Sequence, residues 1–95
     1  MALTFEWDTR KAAANFAKHG VSFNEALTVF ADPLARLEDD DRHSVSEPRL
    51  VLLGRSSADR LVTVMFTERG PEHIRLISAR HATRSERRQY EEASK

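Results

Sequence analysis

The 95 residues include no cysteine, which excludes a disulfide framework and a thiolate metal site. Long apolar runs are also missing. The longest are Leu50–Leu53 and Leu61–Phe66, the latter broken by Thr63, against the roughly 20 residues that a membrane span requires. The start Met-Ala-Leu-Thr-Phe-Glu-Trp-Asp has neither the basic segment nor the apolar stretch of a secretory signal. A soluble, cytoplasmic protein is therefore expected. There are three glycines and three prolines, with no internal repeat and no linker. No Gly-rich phosphate loop, Ser-His-Asp arrangement or nucleotide-binding fingerprint occurs. A net charge is lacking too, which argues against strong non-specific binding to nucleic acid.

That zero average hides a split. Residues 1–48 carry five basic and nine acidic side chains, whereas residues 49–95 carry ten and six. The C-terminal half can thus present a positive surface. Twelve of the fifteen basic residues are arginine, whose planar fork suits phosphate better than the point charge of lysine. Arginine-rich codon usage explains the same bias, so position has to decide between the two.

At this length one domain is expected, spanning residues 1–95. Leu3–Glu6 reads as a short strand. A helix capped by Asp8 or Thr9 follows, with Ala13, Phe16 and Ala17 as its apolar stripe and Gly20 beyond its end. Ser22-Phe-Asn-Glu25 is a capping box, and Phe23, Ala26, Leu27 and Phe30 repeat at helical spacing until Asp32-Pro33. Leu34–Leu37 begins a strand, and the run Glu38–Asp41 after it is expected to be solvated. Arg49–Arg55, Arg60–Glu68 and His73–Arg80 are apolar strands separated by turn residues. Thr83-Arg-Ser-Glu86 is a second capping box and opens a last helix with little apolar surface beyond Tyr90 and Ala93, which is expected to pack weakly or against a partner. The order β-α-α-β-β-β-β-α predicts an α+β domain with a mostly antiparallel sheet.

Six separated blocks resemble one known family. They are Phe5-Glu-Trp-Asp8; Asn15 with Lys18-His-Gly-Val-Ser-Phe23; Ala26 through Val29-Phe30 to Asp32-Pro33; His43-Ser44 with Glu47 and Arg49; Thr67-Glu-Arg69; and Ile74 to Arg80 with Ala82, Glu86 and Tyr90. In this order they resemble the BrnT-type toxins of bacterial type II toxin–antitoxin pairs, over about Phe5 to Glu92. The resemblance implies a RelE-like fold and a ribonuclease activity that blocks translation. It implies a cognate antitoxin with a ribbon-helix-helix DNA-binding part, so that DNA is met only through the antitoxin and the complex represses its own operon. A homodimer within a heterotetramer would follow. The sequence departs from the pattern at His81, where lysine is expected after Ser78-Ala-Arg80.

Metal-independent RNA cleavage uses the substrate's own 2′-hydroxyl as nucleophile, so a site must take that proton and stabilise charge growing on the phosphate. Arg80 is the first candidate, at a strand end beside a helix cap; the competing role is an ion pair with Glu86. On a regular strand Arg75 faces away from Arg80, which assigns Arg75 to a salt bridge unless a bulge intervenes. Glu68 and Arg69 end the preceding strand and serve either as base and partner or as a hairpin-end pair. Arg49 opens a strand and is a second phosphate candidate. His43 has a suitable unperturbed pKa of about 6.5, or simply caps its loop. Asp39, Asp41, His43 and Glu47 are possible metal donors, but their spacing matches no metal loop, and no metal or other cofactor is expected. Arg84, Arg87 and Arg88 make one basic helix face, which with His81 is the candidate RNA contact; a solvated face is the plainer alternative. His19 and His73 read as a helix-end cation and a turn residue.

Two function classes remain. One is an endoribonuclease toxin built on Arg49, Glu68, Arg69 and Arg80. The other is a non-enzymatic binding module, or an inactive relic that acts only through its protein partner.

Overall fold

The computed structural model describes residues 2–40 and 48–93. The order of elements is β1 (Thr4–Glu6), α1 (Thr9–His19), α2 (Phe23–Thr28) continued by a 3-10 turn (Val29–Ala31), β2 (Arg36–Asp39), β3 (Leu50–Arg55), β4 (Leu61–Glu68), β5 (His73–His81) and α3 (Arg84–Ala93). The strands form one sheet in the order β1-β5-β4-β3-β2, antiparallel except for the parallel β1–β5 pair. This is the α+β class and the element order expected. No described helix is long and apolar enough to cross a membrane.

Local signals set the helix ends. Asp8 accepts from the backbone N–H groups of Arg10 (2.8 Å) and Lys11 (3.2 Å), and Gly20 closes α1 at φ 71°. Ser22 accepts from the Glu25 N–H at 3.0 Å. The Glu25 side chain does not return to complete the box. It binds the Ser56 hydroxyl (2.6 Å) and Arg60 instead, which ties α2 to the β3–β4 turn. In α3 the box is complete: Thr83 N–H donates to Glu86 Oε1 at 2.8 Å, and Glu86 N–H donates to Thr83 Oγ1 at 3.1 Å.

The main core lies between α2 and one sheet face. Val21, Phe23, Ala26 and Val29 pack there against Leu52, Val62, Val64, Phe66, Ile74, Leu76 and Ala79. Phe30 bridges Phe5 and Phe66 with edge-to-face ring contacts at 5.0 and 4.9 Å. Gly54 is obligatory here. A Cβ on it would stand 2.9 Å from both the Ala35 Cβ and Asp32 Oδ2.

Three expectations are corrected. The stripe Ala13, Phe16, Ala17 does not face the core: Phe16 is 57% exposed, and α1 instead meets β5 through the buried Asn15. Its amide pairs with the Ala79 backbone, and hydrogen-bond demand at a sheet edge overrides the apolar pattern. The acidic run is not wholly solvated, because Asp40 is buried where its N–H continues the ladder to the Arg49 carbonyl at 2.9 Å; Glu38 and Asp39 lie within β2 and are exposed. Finally, α3 is anchored despite its polarity. Tyr90 is buried with Leu53 and Leu61 on the second sheet face, and its hydroxyl donates to Asp32 Oδ2 at 2.7 Å.

Candidate functional site

Strand alternation sorts the chemistry-bearing residues onto two faces. Val62, Val64 and Phe66 point into the main core, so Thr63, Met65 and Thr67 point to the opposite face. α3 covers that second face only over Leu53, Leu61 and Thr63. Farther along the sheet Val51, Met65 and Ser78 are half-buried, and Ser78 also lines a shallow pocket with Lys11, Asn15 and Lys18 of α1.

The register of β4 and β5 shifts between Met65 and Phe66. Met65 pairs with Ser78, but Phe66 pairs with Leu76, which leaves Ile77 as the extra residue of a bulge. The shift reverses the parity argument for the two arginines. Arg80 stands opposite Thr63 and Arg75 opposite Thr67, so both lie on the second face. Leu50 pairs with Phe66, which sets Arg49 beside Thr67 on the same face. Arg49 and Arg75 thus flank Thr67, about 10 Å apart across two strand spacings, and Arg80 lies roughly 13 Å farther along the strands. The bulge is the one element here with no sequence signal, since Ile77 looks like any strand residue.

Each of the two β5 arginines has a carboxylate partner. Arg75 Nη1 pairs with Glu6 of β1, which His73 also contacts. Arg80 donates end-on to Glu86, Nη1 to Oε1 at 2.7 Å and Nη2 to Oε2 at 3.0 Å, and Nη1 also donates to the His81 carbonyl at 3.3 Å. Its Nε makes no hydrogen bond among the described residues, and the side chain is 31% exposed. Burial by itself would raise the Glu86 carboxyl. Hydrogen bonds from Arg80, the Thr83 N–H and the Thr63 hydroxyl outweigh it and hold the pKa at about 2. The same carboxylate raises the Arg80 pKa still further.

The other sequence candidates are dispersed. Glu68 pairs in register with the buried Ile74, so it lies on the helix side, at the far end of β4 from Thr63 and Arg80. Arg69 follows it in the turn, where its N–H donates to the His73 carbonyl at 2.8 Å. The set Arg49, Glu68, Arg69 and Arg80 does not converge as one cluster. His81 pairs with Val62, faces away from Arg80, and acts electrostatically on Glu25. Arg84, Arg87 and Arg88 are exposed on α3. His43, with Asp41 and Glu47, lies outside the described residues. Among the described residues no group of three or more His, Asp or Glu side chains is gathered as metal ligands. Arg75 is the candidate that sequence reasoning set aside.

No individually curated protein matches the chain. A crystal structure of the Brucella abortus ribonuclease toxin BrnT superposes with a TM-score of 0.66 at 25% identity, covering 87% of this chain and 100% of that one. The family model described as "Ribonuclease toxin, BrnT, of type II toxin-antitoxin system" matches residues 7–86, most of the chain. With its α+β fold, the chain belongs to the BrnT family of ribonuclease toxins from type II toxin–antitoxin systems, a class that implies a protein antitoxin as partner.

Proposed function

We propose that this protein is an endoribonuclease that cleaves RNA by attack of the substrate's 2′-hydroxyl, without a metal ion, and so inhibits translation in the cytoplasm. RNA lies along the second sheet face. Arg49, Arg75 and Arg80 hold its phosphates, and the exposed arginines of α3 extend the track. Arg80 has the central role. Glu86 occupies the end-on edge of its guanidinium and fixes its plane, and the Nε side is left to receive the phosphate that gains charge. His43 is the sequence candidate for moving the proton. The cognate antitoxin carries a ribbon-helix-helix DNA-binding part, and the complex, a toxin dimer within a heterotetramer, represses its own operon.

The observation that supports this reading is the bulge at Ile77, which puts Arg75 on the same sheet face as Arg80 and Arg49, a face that α3 covers only in part. The non-enzymatic reading has an observation of its own: Arg75 and Arg80 are already paired with Glu6 and Glu86, as in a purely structural network. An RNA cleavage assay of purified protein in excess chelator separates the two. Cleavage that persists with chelator and falls in Arg75→Ala and Arg80→Ala supports the enzyme. Cleavage that needs added Mg²⁺ or Mn²⁺ removes the metal-free mechanism. No cleavage under either condition favours the binding module. Glu68→Ala should keep activity, because its side chain lies on the other face.

A further inference from the structure

The side of the sheet that packs on α2 is not fully covered. At the end where β1, β2 and the end of β4 meet, a groove of about 340 Å³ opens onto the core. Eight of its ten lining residues are apolar, among them Leu3, Leu37, Leu50 and Phe66; the other two are the acidic Asp32 and Glu68, and none is basic. Its walls carry two of the four large hydrophobic residues exposed on the described surface, Leu3 at 44% and Leu37 at 60%. Leu37 lies on β2, an edge strand with no described strand beyond it. An apolar concavity with an unpaired strand edge beside it is the form of a protein-docking site, since a monomer gains nothing by leaving such surface in water.

We propose that this groove is where the antitoxin docks, through a segment that combines apolar with basic side chains. The inference rests on the antitoxin partner of the reading above. Charge complementarity selects the segment. Asp32 and the exposed Glu68 line the groove, and the exposed Asp39 pairs in register with its lining residue Leu50. A nucleic acid would be repelled there. The groove also lies on the sheet side opposite Arg49, Arg75 and Arg80, so antitoxin and RNA are read by different surfaces. The exposed Phe16 face of α1 is the rival surface for the same partner. The charged residues of that helix, Arg10, Lys11 and Lys18, are all basic, which suits a partner of the opposite sign.

Calorimetric titration of the full-length toxin with its cognate antitoxin tests this. Leu37→Arg and, on the opposite wall, Leu3→Asp change exposed side chains and should leave the melting curve in place. Each is expected to weaken binding about tenfold or more, as for an anchor residue at an interface. Asp39→Lys should weaken binding at low salt, with the loss shrinking at high salt. Phe16→Ser should bind as wild type. Wild-type affinity in both folded leucine variants overturns the proposal. So does loss of binding in Phe16→Ser alone, which would move the site to α1. A wild-type toxin that binds no antitoxin overturns the partner reading as well. Failure of the RNA reading shows separately, in cleavage by the free toxin.

Discussion

Asn15 holds Ala79 through both ends of its amide: Nδ2 donates to the Ala79 carbonyl at 2.9 Å, and Oδ1 accepts from the Ala79 N–H at 3.0 Å. β1 pairs with β5 only as far as Arg75, so beyond that point the side chain of α1 takes the place of a neighbouring strand. Nδ2 also donates to the Val21 carbonyl at 2.9 Å, which ties the α1–α2 junction to the same point. Ala79 is the residue before Arg80, so this clamp lies one position from the proposed phosphate contact.

Asn15→Ala removes three buried hydrogen bonds and leaves backbone groups of β5 unpaired. A loss of about 2–3 kcal/mol is expected. For a domain of this size that lowers the melting temperature by roughly 8–20 °C, measurable by calorimetry. Asn15→Asp should do no better, because a carboxylate would face two carbonyl oxygens without a donor.

Arg80→Ala should reduce cleavage by about 100- to 1000-fold, the effect of losing one preorganised donor at the reacting phosphate. Its ion pair with Glu86 also joins β5 to α3, so a stability loss of about 1–3 kcal/mol should accompany it without unfolding the chain. Arg80→Lys should recover only part of the activity, because lysine keeps the charge but not the fork. A folded alanine variant with unchanged cleavage would remove Arg80 from the site.

Glu86 gives a pH test. Its carboxyl titrates near the ordinary 4.5 when unfolded and at about 2 when folded. Its contribution is therefore full above about pH 4.5 and is lost as the pH falls toward 2. Urea midpoints measured between pH 5 and pH 2 should fall more steeply for wild type than for Glu86→Gln. Parallel curves would show that the pair does not couple to folding.

Gly54→Ala forces a methyl group against Ala35, Asp32 and Val29, all within 3.0 Å. An overpacking cost of about 1–3 kcal/mol is expected in urea unfolding. Gly20→Ala meets no atom within 4 Å and pays only for its φ of 71°, about 1 kcal/mol. The first variant should be the less stable of the two.

The sequence by itself determined what depends on near neighbours along the chain. The caps at Asp8, Ser22 and Thr83, the stop at Asp32-Pro33 and the apolar strands each act within a few residues, so the element order was legible in them. The ordered blocks carried the family for the same reason. Tertiary structure alone decided which face each side chain serves. Ala13, Phe16 and Ala17 read as a core stripe, yet the two backbone groups of Ala79 required Asn15 there, a demand that exists only once β5 lies alongside α1. The bulge at Ile77 brought Arg75 round to the face of Arg80, and Glu68 fell on the opposite side from both. Register is set by pairing between strands distant in sequence, and one extra residue reverses every parity argument beyond it.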